Sequence, residues 1–136
     1  MEIQTYIALY ETTVLAIGAL AALMFIQVLV ADIVGLKFGH KPGSDVQADH
    51  NNLHFRTVRT VANTNESITV FVLLVMFALG MGASSEYTGY ITWGFVTSRL
   101  AYAICYYANL PIMRSVCFAL SLVMLIALFV VAVQGS

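Results

Sequence analysis

The chain has 136 residues, of which 60% are hydrophobic and only 10% charged, with a formal net charge of −1. A soluble domain carries about 25% charged residues, so this composition excludes a water-soluble globular protein and points to an integral membrane protein. At about 20 residues per span the length supplies roughly four membrane helices as one domain over 1–136, and the lack of a basic arm or patch excludes nucleic acid as a partner.

The first helix is expected over about 6–37, with an apolar core at 12–30. Only Glu2 precedes the run, without Lys or Arg, and the run is too long for a signal-peptide core, so it reads as a retained span. Gly18, Ala19, Ala21 and Ala22 form a small-residue patch that lets membrane helices approach closely. Gln27 interrupts the core, and Asp32 and Lys37 stand near its end. Asp32 fits either a solvated interfacial carboxylate or a member of a polar site.

Residues 39–49 form the main loop, with Lys-Pro-Gly-Ser-Asp as turn chemistry. Asp49-His50-Asn51-Asn52 then supplies caps for a second helix over about 51–81. His50 and His54 stand four residues apart, which suits a wet interfacial face. Without a convincing third ligand, no metal site is expected.

A Gly/Ser-rich turn at 80–85 leads to a third helix over about 87–109, whose Tyr87, Tyr90 and Trp93 read as an aromatic interface belt. Pro111 opens a fourth helix over about 111–133. Cys105 and Cys117 read as reduced, packed side chains. The fold class is therefore an all-α integral membrane protein, a four-transmembrane-helix antiparallel bundle. Lys37, Lys41, Arg56 and Arg59 surround the first connection and Arg114 flanks the third. The positive-inside rule then puts both termini on the non-cytoplasmic side, in a bacterial inner membrane or the endoplasmic reticulum.

The chemistry-bearing residues gather at the cytoplasmic ends of these helices. Arg59, Asn63 and Glu66 fall at i, i+4 and i+7, one face of the second helix. Arg99, Tyr102 and Tyr106 fall at i, i+3 and i+7 on the third, and Arg114 and Ser115 open the fourth. Three arginines against one glutamate leave surplus positive charge, so the site should hold an anion, with the forked guanidinium suited to carboxylates. Glu66 suits an ammonium group and Asn63 an amide. A zwitterionic, peptide-like ligand fits this inventory, and nearby cations would also favour a thiolate. A purely structural polar network that sets helix register is the competing reading.

These motifs, R-x-x-x-N-x-x-E in the second helix, R-x-x-Y-x-x-x-Y in the third, and Pro111 with Arg114-Ser115 after it, resemble the MAPEG family. These are membrane-associated proteins in eicosanoid and glutathione metabolism. The resemblance implies a homotrimer with glutathione bound between subunits at the cytoplasmic side. It assigns the glutathione backbone to Arg59, Asn63 and Glu66, with Arg99, Tyr102 and Tyr106 in the same binding set. It makes Arg114 the residue that stabilises the thiolate and Ser115 its hydrogen-bonding neighbour. The implied activity is transferase- or peroxidase-like detoxification of a lipophilic electrophile or lipid hydroperoxide arriving from the bilayer. The alternative is a non-catalytic member that binds lipid or a partner protein. A small transporter fits poorly, because Glu66 lies in a basic cluster, and a haem protein fits less well, since no His lies inside a span. The sequence departs from relatives at Ala62, where prostaglandin synthases carry a second arginine. It departs also at Val70, in place of a proline, and at Phe118, which lacks a hydroxyl.

Overall fold

The computed structural model describes residues 2–135. Five helices follow one another: α1 (Ile3–Leu9), α2 (Glu11–Lys37), α3 (Leu53–Gly80), α4 (Ser85–Tyr107) and α5 (Pro111–Gln134). The long connection between α2 and α3 is the expected loop, and the expected caps are in place. Asn52 Oδ1 accepts from the His54 amide at 2.8 Å, and Asp49 Oδ1 accepts from the Asn51 amide at 3.0 Å. Pro111 occupies the first turn of α5, where its missing N–H costs nothing. Between α4 and α5, Asn109 takes a left-handed conformation at φ 56°, which a short polar side chain tolerates.

The first helix differs from the sequence expectation. It is broken at Tyr10 (φ −104°, ψ 20°) into α1 and α2. The break has a tertiary cause. The Tyr6 hydroxyl donates to the Leu79 carbonyl and that of Tyr10 to the Ala83 carbonyl, with the two rings 5.3 Å apart. α1 thus folds over the end of α3, bonding the Leu79 carbonyl in its last turn and the Ala83 carbonyl in the turn that follows.

The four long helices run alternately up and down. Gly35 near the end of α2 meets His54 at the start of α3, while Trp93 Nε1 of α4 donates to the Thr12 carbonyl of α2 at 3.0 Å. Arg99 near the end of α4 reaches back to Asn63 in the first half of α3. Three of the helices, α2, α3 and α5, are long and apolar enough to cross a membrane. α4 falls outside that set because it carries Thr88, Thr92, Ser98 and Arg99, all buried inside the bundle.

In lipid, apolar burial gives helices little reason to associate, so close packing and polar contacts must hold them. The core stacks Ala16, Leu20 and Leu23 of α2 against Phe71, Val75 and Ala78 of α3, with Phe95 and Val96 of α4 and Leu125, Leu128 and Ala132 of α5. At its centre the Phe71 and Phe95 rings lie 4.5 Å apart and nearly parallel. Several buried hydroxyls bond within their own helices: Thr57 to the His54 carbonyl, Thr92 to that of Thr88, Ser98 to that of Phe95 and Ser121 to that of Phe118. Their polarity is thereby met locally and they pack as small residues. Large apolar side chains such as Phe25, Ile33, Ile126 and Phe129 face outward, as a lipid environment requires.

At Gly94 the α4 backbone packs closely on an α5 side chain: a Cβ there would lie 2.8 Å from Met124 Sδ. Gly94→Val should therefore lower stability by about 1–3 kcal/mol, read as thermal unfolding in detergent. Met124→Ala in the same chain should restore part of the loss; no loss in the single variant would show that the interface gives way freely.

Candidate functional site

The first half of α3, the second half of α4 and the first turns of α5 converge at one end of the bundle. Between them lies a pocket of ≈ 340 Å³ lined by His50, Arg59, Asn63, Tyr102, Tyr106, Arg114, Ser115 and Phe118. Helical periodicity puts the lining residues of each helix on one face, and the antiparallel arrangement turns those faces towards one another.

The rear of the pocket is set by a buried cation. Arg99 is 0% exposed. Its Nη2 donates to Asn63 Oδ1 at 2.7 Å and Thr64 Oγ1 at 3.1 Å, and its guanidinium lies 4.3 Å from the centre of the Tyr102 ring. Its Nε and Nη1 have no partner among the described residues. Because Asn63 spends its carbonyl on Arg99, its NH₂ is left for a ligand acceptor.

A second cation–aromatic pair forms the opposite wall. The Arg114 guanidinium lies 4.5 Å from the centre of the Tyr106 ring, and the Tyr102 and Tyr106 rings meet edge to face at 5.6 Å. Ser115 Oγ donates to the Pro111 carbonyl at 3.0 Å, which holds it beside Arg114. Arg59 Nη1 and Glu66 Oε1 stand 3.5 Å apart on the open side, their side chains 41% and 61% exposed. Such an exposed pair is worth little to stability, so both groups stay free to meet a ligand. With Arg59 and Arg114 on its surface and Arg99 behind, the pocket is cationic.

The structure thus brings Arg59, Asn63, Tyr102, Tyr106, Arg114 and Ser115 to one cavity. Glu66 lies beside it, paired to Arg59, and faces outward rather than into a buried interior. Arg99 lies behind the wall, where it holds Asn63 instead of lining the cavity. Asp32 sits elsewhere, in a separate cavity with His40 and His54. Cys117 packs with Tyr102, Tyr106 and Cys105, and both thiols are free.

One lining residue went unrecognised as a site residue in the sequence. His50 and His54 look like an i, i+4 pair, but α3 begins at Leu53 and Asn52 is its cap, so His50 lies before the helix. His54 turns towards Gly35 and the His40 ring, 4.6 Å away, whereas His50 turns into the pocket, its Nε2 3.1 Å from the Tyr106 hydroxyl. The signal available was the cap itself, which ends helical periodicity at Asn52. Among the described residues, no three His, Cys, Asp or Glu side chains are grouped to hold a metal ion.

The fold and pocket together define an all-helical integral membrane protein with a cationic, hydroxyl-lined pocket at one end of its bundle. The MAPEG family model matches residues 13–134, nearly the whole chain, and the protein belongs to this family. That membership carries, at family level, a membrane role related to glutathione or eicosanoid metabolism. No individual curated protein matches the chain.

Removing the acceptor at Asn63 should strand the Arg99 charge in a dry interior. Asn63→Leu should cost about 1.5–3 kcal/mol of stability, and adding Arg99→Met should recover much of it. Thermal unfolding of both variants in detergent checks this, and an undiminished loss in the double variant would mean that Arg99 is not the reason.

Proposed function

We propose that the protein binds glutathione in this pocket and ionises its thiol for attack on a lipophilic electrophile or lipid hydroperoxide that arrives from the bilayer. The observation that carries the reading is the placement of the Arg114 guanidinium, stacked on Tyr106 and beside Ser115, in the same cavity as Arg59 and Asn63. Glutathione offers two carboxylates, an ammonium, two amides and a thiol, and the pocket has a counterpart for each class of group. Arg59 meets a carboxylate, Glu66 the ammonium and Asn63 an amide carbonyl. Arg114 faces the sulfur, with Ser115, Tyr102 and Tyr106 as neutral neighbours, and Arg99 acts through Asn63 as a positioning residue.

A fixed cation beside the sulfur favours the thiolate over the thiol, and the thiolate is the nucleophile. In transfer to an electrophile, the thiol proton leaves to solvent and the sulfur's electron pair forms a new bond to carbon, while that carbon releases a leaving group with its bonding pair or a π-bond pair that then takes up a proton. Because the guanidinium is already in place, little reorganisation accompanies the change in charge. A shallow, mostly apolar cavity on the outer face of α5 is lined by Pro111, Ile112, Arg114, Ser115, Val116 and Ala119. It shares Arg114 and Ser115 with the polar pocket, so an apolar substrate lying in lipid would meet the same guanidinium.

The open side, where Arg59 and Glu66 face outward, fits closure by a neighbouring subunit, and a homotrimer is the assembly we assign. In the membrane, α4 is the fourth crossing: it is 23 residues long, and its buried polar groups face the bundle, where such groups are tolerated. The basic residues Lys37, Lys41, Arg56, Arg59 and Arg114 then put the pocket at the cytoplasmic face and both termini on the other side.

The reading divides labour between binding and chemistry. Arg114→Ala should lower turnover with a model electrophile roughly 10²-fold while changing glutathione affinity little. Arg59→Ala and Glu66→Gln should do the reverse, raising Kd in calorimetry with a smaller effect on kcat. A wild-type protein that binds no glutathione would end the proposal, and kinetically indistinguishable Arg114 and Glu66 variants would end the division.

A further inference from the structure

The pocket contains one polar side chain to which the proposed mechanism gives no task. His50 comes from the α2–α3 loop, outside every helix, yet its position is held on several sides. Its Nε2 lies 3.1 Å from the Tyr106 hydroxyl, and its ring is nearly parallel to the phenol, 9° between planes and 6.0 Å between centres. Phe55 meets the imidazole edge-on at 5.0 Å. Arg56 fixes the backbone: its Nη1 donates to the His50 carbonyl at 2.7 Å, and its Nη2 donates to the Tyr107 carbonyl at 3.4 Å. A single guanidinium therefore ties the loop to the end of α4, one residue from the tyrosine that His50 touches.

We propose that His50 is a positioning residue for Tyr106, donating its Nε2–H to the phenol oxygen so that the phenol's own hydrogen is directed into the pocket at the ligand sulfur. The proposal rests on the glutathione reading of the site. A phenol has one hydrogen and two acceptor lone pairs. Were Tyr106 the donor to His50, that hydrogen would be spent on the imidazole and a thiolate would face only lone pairs. With His50 as donor, the phenol oxygen is satisfied on one side and its hydrogen is free on the other. A hydrogen bond accepted by the oxygen also makes the hydroxyl a better donor, since linked hydrogen bonds polarise one another.

Two features of the pocket suit Tyr106 to the role of donor to the sulfur. Arg114 lies over the face of the Tyr106 ring and draws electron density from it, which strengthens the hydroxyl as a donor. Ser115, the other hydroxyl beside Arg114, already donates to the Pro111 carbonyl, so in this arrangement its hydrogen is not aimed at a ligand. The groups around His50 are Tyr106 from α4, Arg56 and Arg59 from α3, Arg114 from α5 and Asp49 on its own loop. The neutral Nε2–H tautomer and the imidazolium both carry the required hydrogen, so the arrangement does not depend on the charge of His50.

The test measures glutathione thiolate by ultraviolet difference absorbance on the purified protein in detergent. Calorimetry with S-methylglutathione, which has no ionisable thiol, measures binding separately. His50→Leu should lower the bound thiolate population about tenfold, the effect of one lost hydrogen bond, and leave S-methylglutathione affinity unchanged. His50→Gln, which keeps an N–H donor at similar reach, should recover most of the thiolate. In a Tyr106→Phe background, His50→Leu should have no further effect. His40→Leu, in the separate cavity, serves as the control.

Unchanged thiolate in His50→Leu, with normal glutathione binding, would overturn this inference and leave the functional reading standing. A matching loss of S-methylglutathione affinity would overturn it too, since His50 would then be a plain binding contact. Wild-type protein that binds neither ligand would overturn the functional reading and this inference together.

Discussion

A guanidinium with no solvent exposure, Arg99, is the constraint on which the rest of this molecule depends. A charge at that depth is expensive, and the cost falls only if fixed partners meet it. Asn63 and Thr64 on α3 and the face of Tyr102 on α4 are those partners. To serve them, α3 and α4 must stand in one register, with their polar faces towards each other. Once that register holds, Arg59 and Asn63 on one helix and Tyr102 and Tyr106 on the other necessarily line the same space, and α5 closes it with Arg114 and Ser115.

Elsewhere in the bundle many buried hydroxyls are met within their own helix. Thr57, Thr60, Thr92, Ser98 and Ser121 each donate to a carbonyl of their own helix. They thus act as small packing residues and compete little for partners across helices. Close approach at Gly89 and Gly94 brings α4 against Thr12 of α2 and Met124 of α5, and van der Waals contact then holds helices that lipid alone would not drive together. The hydrogen bonds between side chains of different helices, from Arg99 to Asn63 and Thr64, lie at the end that carries the pocket, while the other end is tied by Tyr6, Tyr10 and Trp93 donating to backbone carbonyls.

The loop before α3 is more than a tether. Arg56 bonds the loop through His50 and the end of α4 through Tyr107, while Asn52 caps the helix that Arg56 belongs to. These contacts convert the last residues of an otherwise polar connection into part of the site wall. Loops commonly carry function because a rigid scaffold positions them, and here the scaffold is the α3–α4 pair fixed by Arg99.

Much of this was legible in the sequence. Composition and long apolar runs mark a membrane protein, and turn and cap residues place the boundaries of α3, α4 and α5 within about two residues of those observed. The 3.6-residue period puts Arg59 with Asn63, and Tyr102 with Tyr106, on common faces, and the motifs carry the family to which the chain belongs. These properties are local, since each depends on a residue's neighbours along the chain. Tertiary contacts decided what periodicity does not encode, which is depth and the course of non-helical segments. They broke the first helix at Tyr10, where its tyrosines bond the Leu79 carbonyl at the end of α3 and the Ala83 carbonyl in the turn beyond it. They put Arg99 behind Asn63 rather than in the cavity wall and left Glu66 facing outward. They also turned His50 into the pocket and His54 away from it, because a cap ends the helix's period and only contacts with Tyr106 and Arg56 place the residue before it.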